Sequence, residues 1–140
     1  MAKTYHRTEY MVKNRSKYVG GSNPIARSSW ELTVFQTLDS HPAVVNWASE
    51  AIRIPYKNPL TGKMTIYIPD LLVTYIDAQM NKHSEIIEIK PISQSTLEKA
   101  KSRYDKISVV INQAKWAAAR YWCSKNGFMF RVMSERDIFK

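Results

Sequence analysis

The sequence has one cysteine, Cys123, and no apolar run long enough to cross a bilayer. A single cysteine excludes an intramolecular disulfide and fits a reducing cytoplasm. A membrane-spanning helix needs about twenty mostly apolar residues, and the first residues lack the pattern of a secretory signal peptide. We therefore expect no membrane partner. The 140 residues, 44% of them hydrophobic, suffice for the core of one domain.

Acidic residues are scarce as well. Only 12 Asp and Glu oppose 21 Lys and Arg, which gives a formal net charge of +9 with the histidines neutral. A basic balance of this size suits a polyanionic partner, although some soluble proteins share it without binding nucleic acid.

Residues 1–27, here called the N-terminal arm, carry much of this charge and little regular pattern. The glycine- and proline-containing residues 20–24 are unfavourable to a helix. Two interpretations are open: the arm is a solvated, partly disordered tail, or it lies along a phosphate backbone. In the second case its contacts would come from Arg15, Lys17 and Arg27, with the rings of Tyr5, Tyr10 and Tyr18 stacking on bases. Residues 28–140 are predicted to form a single domain.

Carboxylates interrupt two apolar, strand-like runs. Pro69-Asp70 follows one run, and the next carries Glu88 and Lys90, two positions apart and therefore on one face of a strand. If the two runs pair, Asp70 lies beside Glu88, and adjacent carboxylates repel each other unless a cation neutralises them. Their oxygens suit Mg²⁺. The structural alternative is a Pro-Asp turn and a self-paired Glu-x-Lys edge.

The spacing of apolar residues predicts helices around a small sheet. Ser28 and Glu31 form a capping box at the start of a helix that ends near Asp39. The other predicted elements are a short helix over 43–51, strands over 52–57, 64–76 and 84–90, helical residues from 95 to about 125, a strand over 128–132 and a tail helix over 134–139. This order predicts an α/β or α+β fold with a small mixed β-sheet flanked by helices.

The long helical stretch has two predicted faces. Gln113, Trp116 and Arg120 fall on one of them, three and four residues apart. They form either a solvated flank with one tryptophan at the edge of the core, or a polar face directed at the carboxylates. The predicted core stripe consists of Ile107, Val110, Ile111, Ala114, Ala118 and Tyr121.

Several motifs resemble a known superfamily. Pro69-Asp70 followed by Glu88-Ile89-Lys90 resembles the PD-(D/E)XK nucleases. Longer segments resemble the head completion nucleases of large tailed bacteriophages, in the same order from about residue 17 to 135. These are Arg-Ser-Ser-Trp-Glu at 27–31, His-Pro-Ala-Val-Val-Asn-Trp at 41–47, Ile-Pro-Tyr at 54–56 and Asn-Gln-Ala-Lys-Trp at 112–116. The DNA-cleaving subunit of some heteromeric transposases shares the core pattern.

The resemblance implies a restriction-endonuclease-like core and a Mg²⁺-dependent DNA endonuclease, with Mn²⁺ as an alternative ion. Asp70, Glu88 and the backbone carbonyl of Ile89 would be metal ligands, and Lys90 would position or deprotonate the attacking water and stabilise the charge that develops on the phosphate. Glu31 would be a further ligand or would orient a metal-bound water, and either role competes with its capping role. Double-stranded DNA would contact Arg15, Lys17, Arg27, Ser28, Gln113, Lys115, Trp116 and Arg120.

The resemblance also implies a biological setting. Such a protein acts on packaged DNA ends, in the cytoplasm of an infected bacterium or in the virion, with the portal or connector proteins as further partners. The competing hypotheses are a non-catalytic DNA-binding or head-plug protein with the same fold, and a transposase-type nuclease subunit, which would be expected to carry an additional partner-binding domain.

Overall fold

A computed structural model describes residues 7–138 and shows a mixed α and β architecture. The strands are β1 (Thr8–Glu9), β2 (Ile25–Ala26), β3 (Val44–Ser49), β4 (Ile54–Lys57), β5 (Met64–Tyr67), β6 (Leu71–Ile76), β7 (Lys82–Ile89) and β8 (Met129–Met133). The helices are α1 (Ser29–Ser40), α2 (Arg103–Asn126) and α3 (Glu135–Ile138), with two short 3₁₀ turns at Ile92–Gln94 and Leu97–Lys99. No helix among the described residues is both long and apolar enough to cross a membrane.

Four strands form the central sheet in the order β3-β6-β7-β8. The first two pairings are antiparallel, and β8 lies parallel to β7. A parallel neighbour requires a crossover connection, which α2 supplies. The predicted mixed sheet flanked by helices is therefore confirmed, as is the antiparallel return of the strand that carries Glu88.

Each face of this sheet has its own core. Val34 and Phe35 of α1 pack with Trp47, Val73 and Ile87 on one face. On the other face, α2 packs against β8 and against a separate two-stranded hairpin made of β4 and β5, with Trp116, Ala119, Ile54, Tyr56 and Tyr67 at the centre. Because alternate residues of β7 face opposite sides, Ile87 points to the α1 layer and Glu88 to the α2 layer.

The helix ends follow the predicted chemistry. Ser28 caps α1 by accepting a hydrogen bond from the Glu31 N–H at 3.1 Å. Gly127 ends α2 in the left-handed region at φ 76°, where its N–H donates to the Cys123 carbonyl. These two boundaries fix where the helices begin and end relative to the sheet.

The expected helix over 43–51 is wrong, because these residues form β3. The register between β3 and β6 shifts between Val44 and Asn46, as in a β-bulge. The buried positions are consequently Val44, Trp47 and Ala48, so the strand lacks the alternation that would have revealed it.

The expected single strand over 64–76 is also wrong. The chain leaves the β4–β5 hairpin after Tyr67 and enters the central sheet at Leu71. The break contains Pro69, which is fully buried and cannot donate to a strand ladder. Asp70 therefore lies at a junction between two sheets, at the start of a core strand.

The predicted core stripe of α2 is misplaced. Ile107, Val110 and Tyr121 are exposed. The buried face is Val109, Asn112, Trp116, Ala119 and Cys123, at alternating spacings of three and four. This stripe is not apparent in the sequence because it includes a polar residue, Asn112. The buried Asn112 amide donates to the Gln94 carbonyl at 3.1 Å.

The described part of the N-terminal arm packs onto the domain. Tyr10 and Tyr18 are buried in the core under α1, and both rings contact Trp47, so the expectation that they stack on bases is wrong. The Trp47 N–H donates to the Lys17 carbonyl at 2.9 Å, and the Val19 N–H donates back to the Trp47 carbonyl at 3.0 Å. Tyr5 lies outside the described residues.

Candidate active site

Asp70 is held in place from two sides of the junction where β6 begins. Its Oδ2 accepts a hydrogen bond from the Ile89 N–H of β7 at 2.7 Å. Its carbonyl accepts one from the Glu50 N–H, just after β3, at 3.0 Å. The three central strands thus meet at this residue, and the carboxylate is fixed against the end of β7.

Glu88 lies at that same end of β7 and faces α2. It is 6% exposed, and its Oε1 accepts a hydrogen bond from the Tyr67 hydroxyl at 2.8 Å. The Lys90 Nζ is 4.0 Å from Glu88 Oε2, at the limit of an ion pair. The predicted trio of Asp70, Glu88 and Lys90 is therefore brought together in one place.

The nearby donors and cations do not offset the cost of ionising the two carboxyls. Burial raises the pKa of Asp70 well above its usual range, and the nearby negative charge of Glu88 raises it further, against the Ile89 N–H and Lys90. Burial also raises the pKa of Glu88, against Lys90, the Tyr67 hydroxyl and Lys115. Two desolvated carboxyls, one of which opposes the ionisation of the other, form a site that favours a cation.

A second ammonium group borders the site. The Lys115 Nζ of α2 lies 5.6 Å from the Tyr67 ring centre and 6.0 Å from the Tyr56 ring centre. Burial lowers the pKa of Lys115, as does the positive charge of Lys90, while Glu88 and Asp70 act in the opposite direction. Within residues 7–138, no carboxylate forms a salt bridge with Lys115.

Glu31 reaches the site only in part. Its Oε1 accepts a hydrogen bond from the Arg27 N–H at 2.8 Å, as expected for a residue that caps the helix start. Its negative charge also contributes to the raised pKa of Asp70, so the carboxylate is within electrostatic range. Its role as a metal ligand stays a prediction.

The donor set fits a hard divalent cation. Among the described residues, no group of three or more His, Cys, Asp or Glu side chains lies close enough to hold a metal ion. The candidate side-chain donors are thus the two carboxylates, Asp70 and Glu88, without nitrogen or sulfur ligands. Oxygen-only donors with vacant positions for water suit Mg²⁺, which retains several waters when bound.

Three predicted DNA contacts near the arm make intramolecular bonds. Arg15 donates to the Asn23 side chain and to the Gly21 carbonyl. The Lys17 Nζ donates to the Asp39 and His41 carbonyls at the end of α1. Arg27 forms an ion pair with Glu50. Their predicted contacts with DNA, and that of the capping residue Ser28, stay predictions.

On α2, one predicted DNA contact is wrong. Trp116 is 2% exposed and packs in the α2 core, so its ring is not available to a nucleic acid. Gln113 is exposed, but its amide donates to the Ser95 carbonyl at 2.7 Å. Arg120 is exposed and lies 5.5 Å from the Phe130 ring centre. Lys115 is close enough to Glu88 and Asp70 for their negative charges to act to raise its pKa.

Two residues that organise the site were not predicted. Tyr67 orients Glu88, and burial together with the Glu88 charge raises the pKa of its phenol, which therefore remains a donor. Tyr56 supplies the second ring below Lys115. Tyr67 lies two residues before Pro69-Asp70, and this closeness to the motif is the sequence feature that could have indicated its role in the site.

Comparison with known proteins identifies the family. The family model of the N-terminal domain of TnsA-like endonucleases matches residues 41–135, a segment that contains Asp70, Glu88 and Lys90. The chain is also 30% identical over 138 residues to the head completion nuclease of Enterobacteria phage T4, with 93% of this chain and 91% of the relative covered. The resemblance seen in the motifs is confirmed, and the chain belongs to the TnsA-like endonuclease family.

Proposed function

We propose that this protein is a Mg²⁺-dependent DNA endonuclease that acts in phage head completion. The observation that carries the proposal is the pair of desolvated carboxyls of Asp70 and Glu88, in which the Glu88 charge opposes ionisation of Asp70, beside the Lys90 ammonium. Such a pair is costly to bury unless a cation is bound, which favours a metal site. The family match supports phosphodiester hydrolysis as the chemistry.

The residues take distinct roles in this proposal. Asp70 and Glu88, with the Ile89 carbonyl, would hold the ion, and Tyr67 fixes the orientation of Glu88. The bound ion would supply Lewis acidity at the scissile phosphate and lower the pKa of a water. Lys90 would orient the attacking water and stabilise the negative charge that develops on the phosphate.

Lys115 would bind a phosphate of the DNA strand. Its ammonium is half-buried against two tyrosine rings, has no salt bridge within the described residues, and lies beside the carboxylates. An ammonium in such a position gains most from an anionic ligand. The net charge of +9 would attract the DNA backbone over longer distances.

The biological role rests on the relative. The phage T4 protein is a head completion nuclease, and the near full-length match supports the same task here. Portal or connector proteins would then be partners, and the protein would act in the infected cell or in the assembled particle. Mn²⁺ is the expected substitute for Mg²⁺, since both prefer oxygen ligands.

The test is cleavage of supercoiled plasmid DNA by the purified protein. We expect conversion to nicked or linear DNA with Mg²⁺ or Mn²⁺, none with EDTA, and none with Asp70→Asn or Glu88→Gln. The matched control is Glu98→Gln, an exposed carboxylate in a 3₁₀ turn, which should cleave like the wild type. Unchanged cleavage by either site variant, or DNA binding without cleavage under all metal conditions, would contradict the proposal.

A further inference from the structure

The β4–β5 hairpin has an apolar face that is exposed to solvent within residues 7–138. The cross-strand pairs Pro55–Ile66 and Lys57–Met64 share one face, while Ile54, Tyr56 and Tyr67 point into the α2 core. Met64 is 67% exposed, Ile66 45% and Ile68 37%. Several exposed apolar side chains within one short segment mark a candidate interaction surface.

The charged residues within the hairpin segment, residues 51–69, are all basic. Between Glu50 and Asp70 the sequence has no acidic residue but includes Arg53, Lys57 and Lys63, all of them exposed. In the pairing register, Lys57 lies directly opposite Met64. The hairpin therefore presents apolar side chains bordered by cations, a combination that fits a polyanion with accessible apolar surface.

The hairpin that carries this face is tied to the candidate active site through its opposite, inner face. Ile68 precedes Asp70 by two residues, and the hairpin is anchored to the site by the Tyr67–Glu88 hydrogen bond. The inner tyrosines of the same hairpin contact Lys115. A ligand on the outer face would thus be held at a fixed position relative to the carboxylates.

We propose that the outer face of the β4–β5 hairpin lies in a groove of duplex DNA next to the cleaved bond. Met64, Ile66 and Ile68 would contact sugars and base edges, while Arg53, Lys57 and Lys63 would contact the flanking phosphates. Two-stranded ribbons fit DNA grooves, and apolar side chains pack between sugars or base steps there. The inference deepens the proposed nuclease function by assigning the surface that receives the substrate.

The test is DNA affinity, measured without cleavage. Fluorescence anisotropy with a short duplex in EDTA would compare the wild type with Met64→Ser/Ile66→Ser and with Lys57→Ala/Lys63→Ala. Met129→Ser is the apolar control, because Met129 is an exposed strand methionine on β8, and Lys82→Ala is the charge control at the far end of the sheet. Circular dichroism melts would exclude unfolding as the cause of any loss.

The two double variants should weaken DNA binding in different ways. Met64→Ser/Ile66→Ser should lose about tenfold or more in affinity without a change in salt dependence, because it removes apolar contact. Lys57→Ala/Lys63→Ala should lower the slope of log affinity against log salt by up to about 2, since each lost phosphate contact accounts for about 0.9. Both control variants should bind like the wild type.

A photo-crosslinking residue at position 66 would identify the molecule that binds to the outer face of the hairpin. Crosslinking to the duplex supports the inference, even if the protein proves unable to cleave, so its outcome is separate from that of the nuclease assay. Wild-type affinity in both double variants would overturn it. Crosslinking to a second copy instead of DNA would also overturn it and assign the face to self-association.

Discussion

Among single residues, the carboxylate pair carries an energetic cost for the folded chain. Because the pKa values of Asp70 and Glu88 are raised by burial, their ionised forms are less favourable in the folded state than in the unfolded state. At a pH below their unfolded values, near 4, both states are protonated and the cost is absent. The cost grows as the pH rises from about 4 towards the raised values and is constant above them, and a bound cation would remove it.

Asp70→Asn should therefore stabilise the metal-free protein at neutral pH. The amide keeps an oxygen acceptor for the Ile89 N–H but removes the buried charge, so we expect a gain of about 1 kcal/mol, or roughly 3–5 °C in Tm. Thermal melts in EDTA measure this, with Glu98→Gln as the control. Mg²⁺ should raise the Tm of the wild type more than that of the variant, and a wild type insensitive to Mg²⁺ would contradict the assignment.

The ammonium of Lys115 should contribute one phosphate contact to DNA binding. Lys115→Met keeps an unbranched stem against Tyr56 and Tyr67 but removes the charge. We expect the variant to fold normally, to bind duplex more weakly, and to lose about 0.9 from the slope of log affinity against log salt, the value of one phosphate contact. Lys99→Met, an exposed lysine in a 3₁₀ turn, is the control. A variant with an unchanged slope and a lower Tm would restrict Lys115 to a structural role.

Among the elements, the link between the N-terminal arm and α1 depends on Asp39. This 1% exposed carboxylate accepts hydrogen bonds from the Tyr10 hydroxyl at 2.6 Å, the Lys13 N–H at 2.8 Å and the Asn14 N–H at 3.0 Å. Burial acts to raise the pKa of Asp39, but the bonds from Tyr10, Lys13 and Asn14 outweigh it and hold the pKa below the usual value.

These hydrogen bonds make the stability of the fold depend on pH at both ends of the scale. A carboxyl with a depressed pKa contributes stability above its unfolded pKa, near 3.9, and that stability is lost as the pH falls through its folded value. Burial, with Asp39 as its partner, raises the pKa of Tyr10 to about 12. Its contribution is consequently lost as the pH rises from about 10 towards that value.

Asp39→Asn should cost about 2–3 kcal/mol at pH 7, because one amide oxygen replaces two carboxylate oxygens and leaves a buried donor without its partner. Urea unfolding at pH 7 and at pH 3 measures the effect. The difference between variant and wild type should shrink at pH 3, and Glu98→Gln should match the wild type. An equal difference at both pH values would show that ionisation of Asp39 is not the source.

The sequence predicted elements well where local chemistry decides them and failed where tertiary pairing does. The capping residues Ser28 and Gly127 marked the helix ends because they act through bonds to their own neighbours. The strand β3 was mistaken for a helix since its register shift is a property of the partner strand. The α2 stripe was missed because the buried Asn112 depends on a carbonyl eighteen residues earlier.

The sequence also predicts part of the candidate site and misses the part that depends on tertiary contacts. Strand alternation placed Glu88 and Lys90 together, and antiparallel pairing brought Asp70 beside them. No local pattern could show that Tyr67, in a different sheet, donates to Glu88. Nor could it show that α2 turns Trp116 inward and brings Lys115 to the site.

For the whole molecule, charge should control DNA binding. With a net charge of +9, the affinity for duplex DNA should fall steeply with salt, with a log–log slope of roughly −3 or steeper. The arm is best tested by Arg7→Ala/Lys13→Ala, since a truncation past Tyr10 would open the core. A reduced slope in this variant would place the arm on the backbone, whereas an unchanged slope would contradict that role.

The most direct test of the catalytic account is the single-turnover cleavage rate of Lys90→Ala at saturating Mg²⁺, beside DNA binding in Ca²⁺. Lys90 is adjacent to the proposed ion ligands but supplies no ligand atom itself, so metal and DNA affinity should persist. The rate should fall by about two orders of magnitude or more, the usual scale for one electrostatic or general-base contributor. A rate close to that of the wild type, with only stability or metal affinity reduced, would contradict the account and leave Lys90 as a structural partner of Glu88.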